Sequence, residues 1–456
     1  MPALRRERSE RAVTLQLRSP SPEEWRAQVR AERRSADPVL DAETAGPLGA
    51  WFELPVTANR VVRTILEDVA REGDPAVRRW TLRLDRVDVA ETRVPAEALG
   101  RAWEEIDPAT RDAIAGAAAR IRAIHEPQRE TAIRGTVSAH LRPLPLRRVG
   151  CYVPGGRAAY PSTVLMNVIP AQIAGVAEIA LVSPPGAGGS VHPLVLASAH
   201  HLGVSEVHAA GGAQAIAALG YGTEAIARVD KITGPGNLFV TLAKRQVFGE
   251  VGIDGVAGPS EIVVIASAGA DPRLVAADLV SQLEHDPLAW AVCLTDSPAL
   301  AGAVGEAFST EAGAAARGGI IAAAAGRHGA VIVTETLEAA VRLADEFAAE
   351  HLSLQGEAAE ALRDRRHTAS AVFVGPRSPV SMGDYVAGPN HTLPTGGAAR
   401  HRGPLSVMDF QRWQSVVELS AAEFDSLAPV ACALAEAEGL RGHERAIRLR
   451  MEDGDR

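Results

Sequence analysis

Several familiar protein classes are excluded by what this sequence has little of. Its three cysteines, Cys151, Cys293 and Cys432, show no C-x-x-C spacing and cannot all pair. Neither a disulfide framework nor a thiolate zinc site is therefore indicated, and a reducing compartment is expected. Positive charge is in deficit: 47 Lys and Arg against 56 Asp and Glu leave a net charge of −9 and a pI near 5.9. Phosphate backbones and anionic membranes select clustered positive charge, so neither nucleic acid nor a membrane is expected as a partner. Long apolar runs are missing too, since stretches such as "IAGVAEIALV" are too short or carry charge. The first 34 residues hold nine arginines and five glutamates but no apolar core of a secretory signal. No G-x-x-x-x-G-K-[ST] occurs, nor a G-x-G-x-x-G after a strand, so the common phosphate-binding fingerprints are absent. What remains is a soluble, cytoplasmic chain that handles a small molecule.

With 456 residues, 46% of them hydrophobic, the chain can bury large cores and should divide into two or more domains. The arginine-rich arm reads as a flexible, solvated extension that enters helix near "SPEEWRAQVRAERR". Residues 55 to 130 read as helices with polar faces, for example "ANRVVRTILEDVAREG". From Arg148 the rhythm changes. Short apolar runs alternate with amphipathic ones: "VGCYVPGG", "STVLMNVIPAQIAGV", "EIALVSPP", "LVLASAHHLGV", "EVHAAGG", "AQAIAAL", "DKITGPG", "NLFVTLAKRQVF". A second series runs from "SEIVVIAS" through "PRLVAADLVSQLEH" and "WAVCLTDS" to "AVIVTET" and "SAVFVGPRSP". Short strands that cross over through helices imply parallel sheets, so two doubly wound sheets are expected. After Pro404 the chain reads as short and helical, with a polar end.

Within the second series, "SQLEHDP" puts Gln282 and His285 on nearly the same face of a helix end, with Glu284 pointing elsewhere. Either a solvated helix cap or half of a metal site accounts for the pair. "CYVPGGRAAYPST" and "TGPGN" are glycine turns at strand ends, where free amides can receive a phosphate or simply make a tight connection. Both would line one crevice. "AAEHLSL" offers Glu350 and His351 at a helix-to-strand transition; such neighbours share a site only where the backbone is irregular. "GDYVAGPNHTLPTGG" gathers Asp384 and His391 in a glycine- and proline-rich loop, and "EGLRGHERA" puts Glu438 and His443 beside a late helix.

Taken together, these segments resemble the histidinol dehydrogenase family from about residue 55 to 450; "GGAQAIAALGYGTE", "VDKITGPGN" and "AGPSE" stand in family order with the motifs above. The resemblance implies a zinc- and NAD-dependent enzyme that oxidises L-histidinol through an aldehyde to L-histidine, reducing two NAD. It implies one zinc per subunit, held by Gln282, His285, Asp384 and His443. His351 matches the general base and Glu350 the residue that activates water for the second oxidation. Ser260, His391 and Glu438 match substrate contacts, as do the zinc ligands, while Tyr152, Gln214 and Asn237 match contacts to NAD. A homodimer with shared active sites is implied, the tail of each chain reaching its partner.

The expected architecture is α/β: two doubly wound, incomplete Rossmann-like domains with a helical N-terminal region and a small helical C-terminal tail. Residues 35–148 and 261–403 would form the first domain with its helical part, 149–260 the second, and 404–456 the dimerisation tail, with 1–34 as the arm. Val380 and Met408 depart from residues common in the family and bear on substrate identity. A relative acting on another small alcohol, such as a sulfonated diol, is the first alternative; a metallohydrolase is a second, for which the two sheets and the glycine turns would have no use.

Overall fold

The computed structural model describes residues 15–33, 46–53, 55–130, 139–155, 159–388 and 390–454. Helix α1 (Pro22–Arg33) comes first, followed by α2 (Ala58–Glu72), α3 (Asp74–Asp85), α4 (Ala96–Glu105) and α5 (Pro108–His125). Strand β1 (Ala139–Pro145) then leads into a parallel series: β2 (Arg148–Tyr152), α6 (Pro161–Ala174), β3 (Glu178–Ser183), α7 (Pro193–His201), β4 (Glu206–Ala209), α8 (Gly212–Tyr221), β5 (Lys231–Thr233), α9 (Leu238–Val247) and β6 (Gly252–Ile253). The second series is β7 (Glu261–Ala266), α10 (Pro272–Leu283), β8 (Trp290–Thr295), α11 (Pro298–Ala314), α12 (Gly318–His328), β9 (Gly329–Val333), α13 (Leu337–Phe347), β10 (His351–Gln355), α14 (Glu357–Glu360), β11 (Ala371–Val374) and α15 (Val380–Tyr385). Strand β12 (Gln411–Val417) and helices α16 (Ala421–Ala437) and α17 (Arg441–Gly454) complete the chain.

Each series forms a five-stranded parallel sheet, ordered β4-β3-β2-β5-β6 and β11-β10-β7-β8-β9. Strands β7, β8 and β10 are buried along their whole lengths, as a sheet covered by helices on both faces requires. In each sheet the order reverses beside the first strand, at β2–β5 and at β7–β10, which opens a crevice there. The mixed α/β class and the two doubly wound sheets match the sequence reading.

Three details differ from it. First, the helices of residues 55 to 130 pack on the 149–260 sheet, not on the 261–403 one: Val61, Val62 and Ile65 of α2 share a core with Ala215, Ile216 and Leu219 of α8. Helix α8 is apolar all round, so it needs a covering helix on the side away from the sheet. Second, residues 15–33 of the arm are docked rather than solvated. Trp25 and Val29 of α1 enter the core beneath β8 and α13, with Trp25 5.0 Å from the Phe347 ring. The arm's composition hid this, because its two anchors stand among many charges; residues 1–14 and 34 lie outside the described residues. Third, the region after Pro404 is not purely helical, since β12 pairs antiparallel with β1, Ala139 facing Val417. Among the described residues, no helix is long and apolar enough to cross a membrane.

At the carboxyl end of the first sheet, Lys244 is buried, donating to the Gly234 carbonyl at 2.9 Å and pairing with Asp254, whose other oxygen accepts from the Gly234 amide at 2.7 Å. Lys231, at the other end of β5, donates to the Asp409 carbonyl. These two are the only lysines of the chain.

Candidate active site

Helix α13 ends at Ala348, which adopts the left-handed conformation at φ 54. For a non-glycine residue that turn costs energy, and it supplies the irregularity the Glu-His pair needs. Glu350 and His351 are both buried at the amino end of β10, with Nδ1 of His351 3.5 Å from a Glu350 oxygen. Nδ1 donates to the Glu261 carbonyl at 3.1 Å, which leaves Nε2 as the acceptor. Burial holds the ring down to about 3, the Glu261 carbonyl opposes it, and nearby His285 and His391 add to it, so the imidazole is neutral at ordinary pH. Burial also pushes Glu350 well above the usual carboxylate range; the Glu261 amide, donating at 2.9 Å, and the Ser260 hydroxyl partly offset this, while Glu261 and Asp384 repel it.

A small cleft beside His351 is lined by that residue with Phe373, Asp384, Asn390 and His391. His391 is fixed from both sides: Nδ1 donates to the Asp384 carbonyl at 3.0 Å, and Nε2 faces the Thr163 hydroxyl of α6 at 3.3 Å. Asn390 also crosses to α6, through the Met166 carbonyl. The glycine-rich loop thereby ties the two sheets together. Gly388 is required in it, because an added Cβ at its φ of +106 would overlap Ile124. Burial pushes the Asp384 carboxyl up to about 6.

Gln282 is buried in the last turn of α10, and one end of its amide, Nε2, has no partner. His285 lies just beyond the helix end, its amide reaching the Gln282 carbonyl at 3.3 Å. His285 and Asp384 both lie within electrostatic reach of the buried pair and His391, His285 acting on His351 and His391 and Asp384 on Glu350. Glu438 and His443 are exposed in α16–α17, and among the described residues no three His, Cys, Asp or Glu side chains converge in a metal cluster. The sequence expectation gives Glu438 and His443 to the site of a partner subunit rather than to that of their own chain. The tail that carries them exposes apolar side chains, with Leu427, Val430 and Leu434 52%, 61% and 60% accessible.

The expected NAD contacts sit on the first sheet. Tyr152 ends β2, its hydroxyl accepting from the Gly212 amide at 3.2 Å. Gln214 is buried in α8, with Nε2 directed to Asp85 at 3.3 Å and Oε1 without a partner. Asn237 caps α9, its side-chain oxygen accepting from the amides of Phe239 and Val240, both at 3.1 Å, so its NH2 group alone is left for a ligand. At Gly234, φ +109, a Cβ would overlap the Tyr152 carbonyl, which is why β2 and β5 can close on the crevice. Of the other expected turn, residues 156–158 lie outside the described residues.

A sequence profile of histidinol dehydrogenases matches residues 55–451. The chain is 48% identical over 395 residues to histidinol dehydrogenase of Parasynechococcus marenigrum (strain WH8102), covering 86% of this chain and 90% of that protein. It is 49% identical to that of Moorella thermoacetica (strain ATCC 39073 / JCM 9320), covering 86% and 94%. The chain belongs to the histidinol dehydrogenase family. The crystal structure of histidinol dehydrogenase from Elizabethkingia anophelis superposes with a TM-score of 0.85 at 32% identity, over 96% of this chain and 99% of that one. As a member of that family the chain is an oxidoreductase. Two residues of the site escaped the sequence reading. Thr163, which holds His391, lies in the quoted "YPST", and Glu261, whose backbone serves both Glu350 and His351, closes the quoted "AGPSE".

Proposed function

We propose that the chain is a zinc- and NAD-dependent histidinol dehydrogenase that oxidises L-histidinol through L-histidinal to L-histidine, with two NAD reduced, in the last steps of histidine biosynthesis in the cytoplasm. The observation that carries this reading is the buried Glu350–His351 pair, with Nε2 of His351 free as an acceptor. His351 would take the hydroxyl proton as the first hydride leaves the alcohol carbon. Glu350, a stronger base for its burial, would take a proton from the water that adds to the aldehyde while protonated His351 returns its proton to the aldehyde oxygen, which leaves His351 neutral to serve again as the second hydride leaves. When bound, NAD accepts one hydride in each oxidation and zinc supplies a Lewis-acidic anchor for the substrate.

The donor set suits zinc by type: an imidazole at His285, a carboxylate at Asp384 and the side-chain oxygen of the buried Gln282, with His443 as the fourth. Tyr152, Gln214 and Asn237 would hold NAD, while Ser260, His391 and Glu438 would contact the substrate. The exposed tail supports a C2 dimer in which α16–α17 of each chain brings Glu438 and His443 to the other's site.

Purified protein given L-histidinol should form two NADH per molecule consumed, and other small alcohols, a sulfonated diol included, should not replace it. No NADH with L-histidinol refutes the substrate. Mixing inactive His351→Ala and His443→Ala variants under verified subunit exchange should restore roughly a quarter of the sites. Mixing that restores nothing refutes the shared site.

A further inference from the structure

Glu261, the first residue of β7, links four parts of the site. Its amide donates to Glu350 at 2.9 Å and its carbonyl accepts from His351 at 3.1 Å. One side-chain oxygen accepts from the Gly396 amide at 3.0 Å, in the loop that carries Asp384 and His391, and from Arg33 at 3.0 Å. The other oxygen is buried with no partner. Two carboxylates, Glu261 and Glu350, are thus enclosed side by side. Such an arrangement is costly without a counter-charge.

The counter-charge comes from the arm. Arg33 is the last residue of α1, outside the stretch that the family profile matches. Its guanidinium also donates to the Phe347 carbonyl at 2.6 Å and lies 4.2 Å above the Phe347 ring. Phe347 closes α13, immediately before the left-handed Ala348 that aims Glu350 and His351. Arg33 therefore grips both strand starts: β7 through Glu261, and β10 through the end of α13.

We propose that Arg33 is a positioning residue for the oxidation: by pairing with Glu261 and tying the end of α13, it fixes the amino ends of β7 and β10 from which Glu350 and His351 act. This rests on the reading of that pair as the acid–base groups. Burial raises the Glu261 carboxyl and Arg33 opposes that rise, which agrees with the geometry. The charged and titratable groups facing Glu261 are Arg33 from α1, His351 from β10 and Glu350 just before it.

The test uses the full chain loaded with zinc. Arg33→Met keeps an apolar stem over Phe347 and removes the charge. It should lower kcat roughly ten- to a hundredfold, with zinc content and KM for NAD within about twofold, because a small misplacement of reacting groups is amplified in rate. Arg33→Lys should recover part of the loss. Glu261→Gln placed in the Arg33→Met background should recover more than it gives alone, since a buried amide needs no counter-charge. A kcat for Arg33→Met within about twofold of the parent, whatever happens to Tm, overturns the proposal. So does a loss that neither Lys at 33 nor Glu261→Gln relieves, because the arm would then act by packing alone. His351→Ala is assayed in parallel. Activity retained there overturns the reading of the pair, whereas inactivity there with an unaffected Arg33→Met overturns this inference only.

Discussion

The two sheets share a topology and use opposite ends of it. On the proposed function the first sheet presents Tyr152 and Gly234–Asn237 to NAD at the carboxyl ends of β2 and β5, where doubly wound sheets usually bind. Its amino edge is closed by charge: Arg148 at the start of β2 donates to Glu178 of β3 at 3.0 Å and pairs with Glu206 of β4, which in turn faces His208 at 3.1 Å. The second sheet keeps Glu261, Glu350 and His351 at its amino edge. Burial pushes Glu206 up, but His208 and Arg148 outweigh it and hold the carboxyl at about 2, while Glu350 is driven well above the usual range. A buried carboxylate at the amino edge of a sheet is thus held ionised where imidazole and guanidinium satisfy it, and is driven toward its protonated form where burial outweighs its partners.

The contrast can be broken most directly at the second sheet. His351→Ala should cost kcat about a thousandfold in both half-reactions, within the range for a lost general base. Glu350→Gln should impair oxidation of supplied histidinal more than the first hydride transfer; equal losses would mean that the two residues do not divide the work. Removal of His285 should abolish metal retention and turnover together, and one zinc per chain persisting in His285→Ala by elemental analysis would remove it from the ligand set.

At the first sheet, Gly234→Ala should raise KM for NAD about tenfold through the crowding against Tyr152, with KM for L-histidinol nearly unchanged. The reverse pattern would exchange the roles assigned to the two ends. The smallest effect concerns the closed edge. Because the folded pKa of Glu206 lies near 2, below the 4.5 of an unperturbed glutamate, its stabilisation is complete above pH 4.5 and is lost as pH falls toward 2. Glu206→Gln should therefore lower Tm at neutral pH and flatten its decline through that window; an unchanged slope would show that the pairing adds nothing.

Much of this was legible in the sequence. The alternation from Arg148 onward predicts both sheets, since a parallel strand buried on two faces needs an uninterrupted apolar run such as "SEIVVIAS". Gln282, His285, Asp384, His351 and Glu350 were legible as candidates because their types and motif order resemble those of the family. What was not legible depends on long-range contact. Trp25 and Val29 carry no helical periodicity strong enough to outvote the arginines around them, so docking of the arm was invisible. Strand β1 was missed because "AHLRPLP" contains two prolines, a composition that suits an edge pair but argues against a strand. The grouping of α2–α5 with the 149–260 sheet depends on which helix offers a complementary apolar face, which periodicity alone does not specify.

The chain's two lysines give the carboxyl end of the first sheet an unusual chemical visibility. Reagents that acylate lysine find only Lys231, partly enclosed beside Asp409, and Lys244, sealed against the Gly234 carbonyl and Asp254. In the folded protein such labelling says little about the surface. Acylation of Lys244 instead requires that the turn around Gly234 come apart, so the rate of its appearance is a clock for local opening of the crevice between β2 and β5, readable by mass without any assay of turnover.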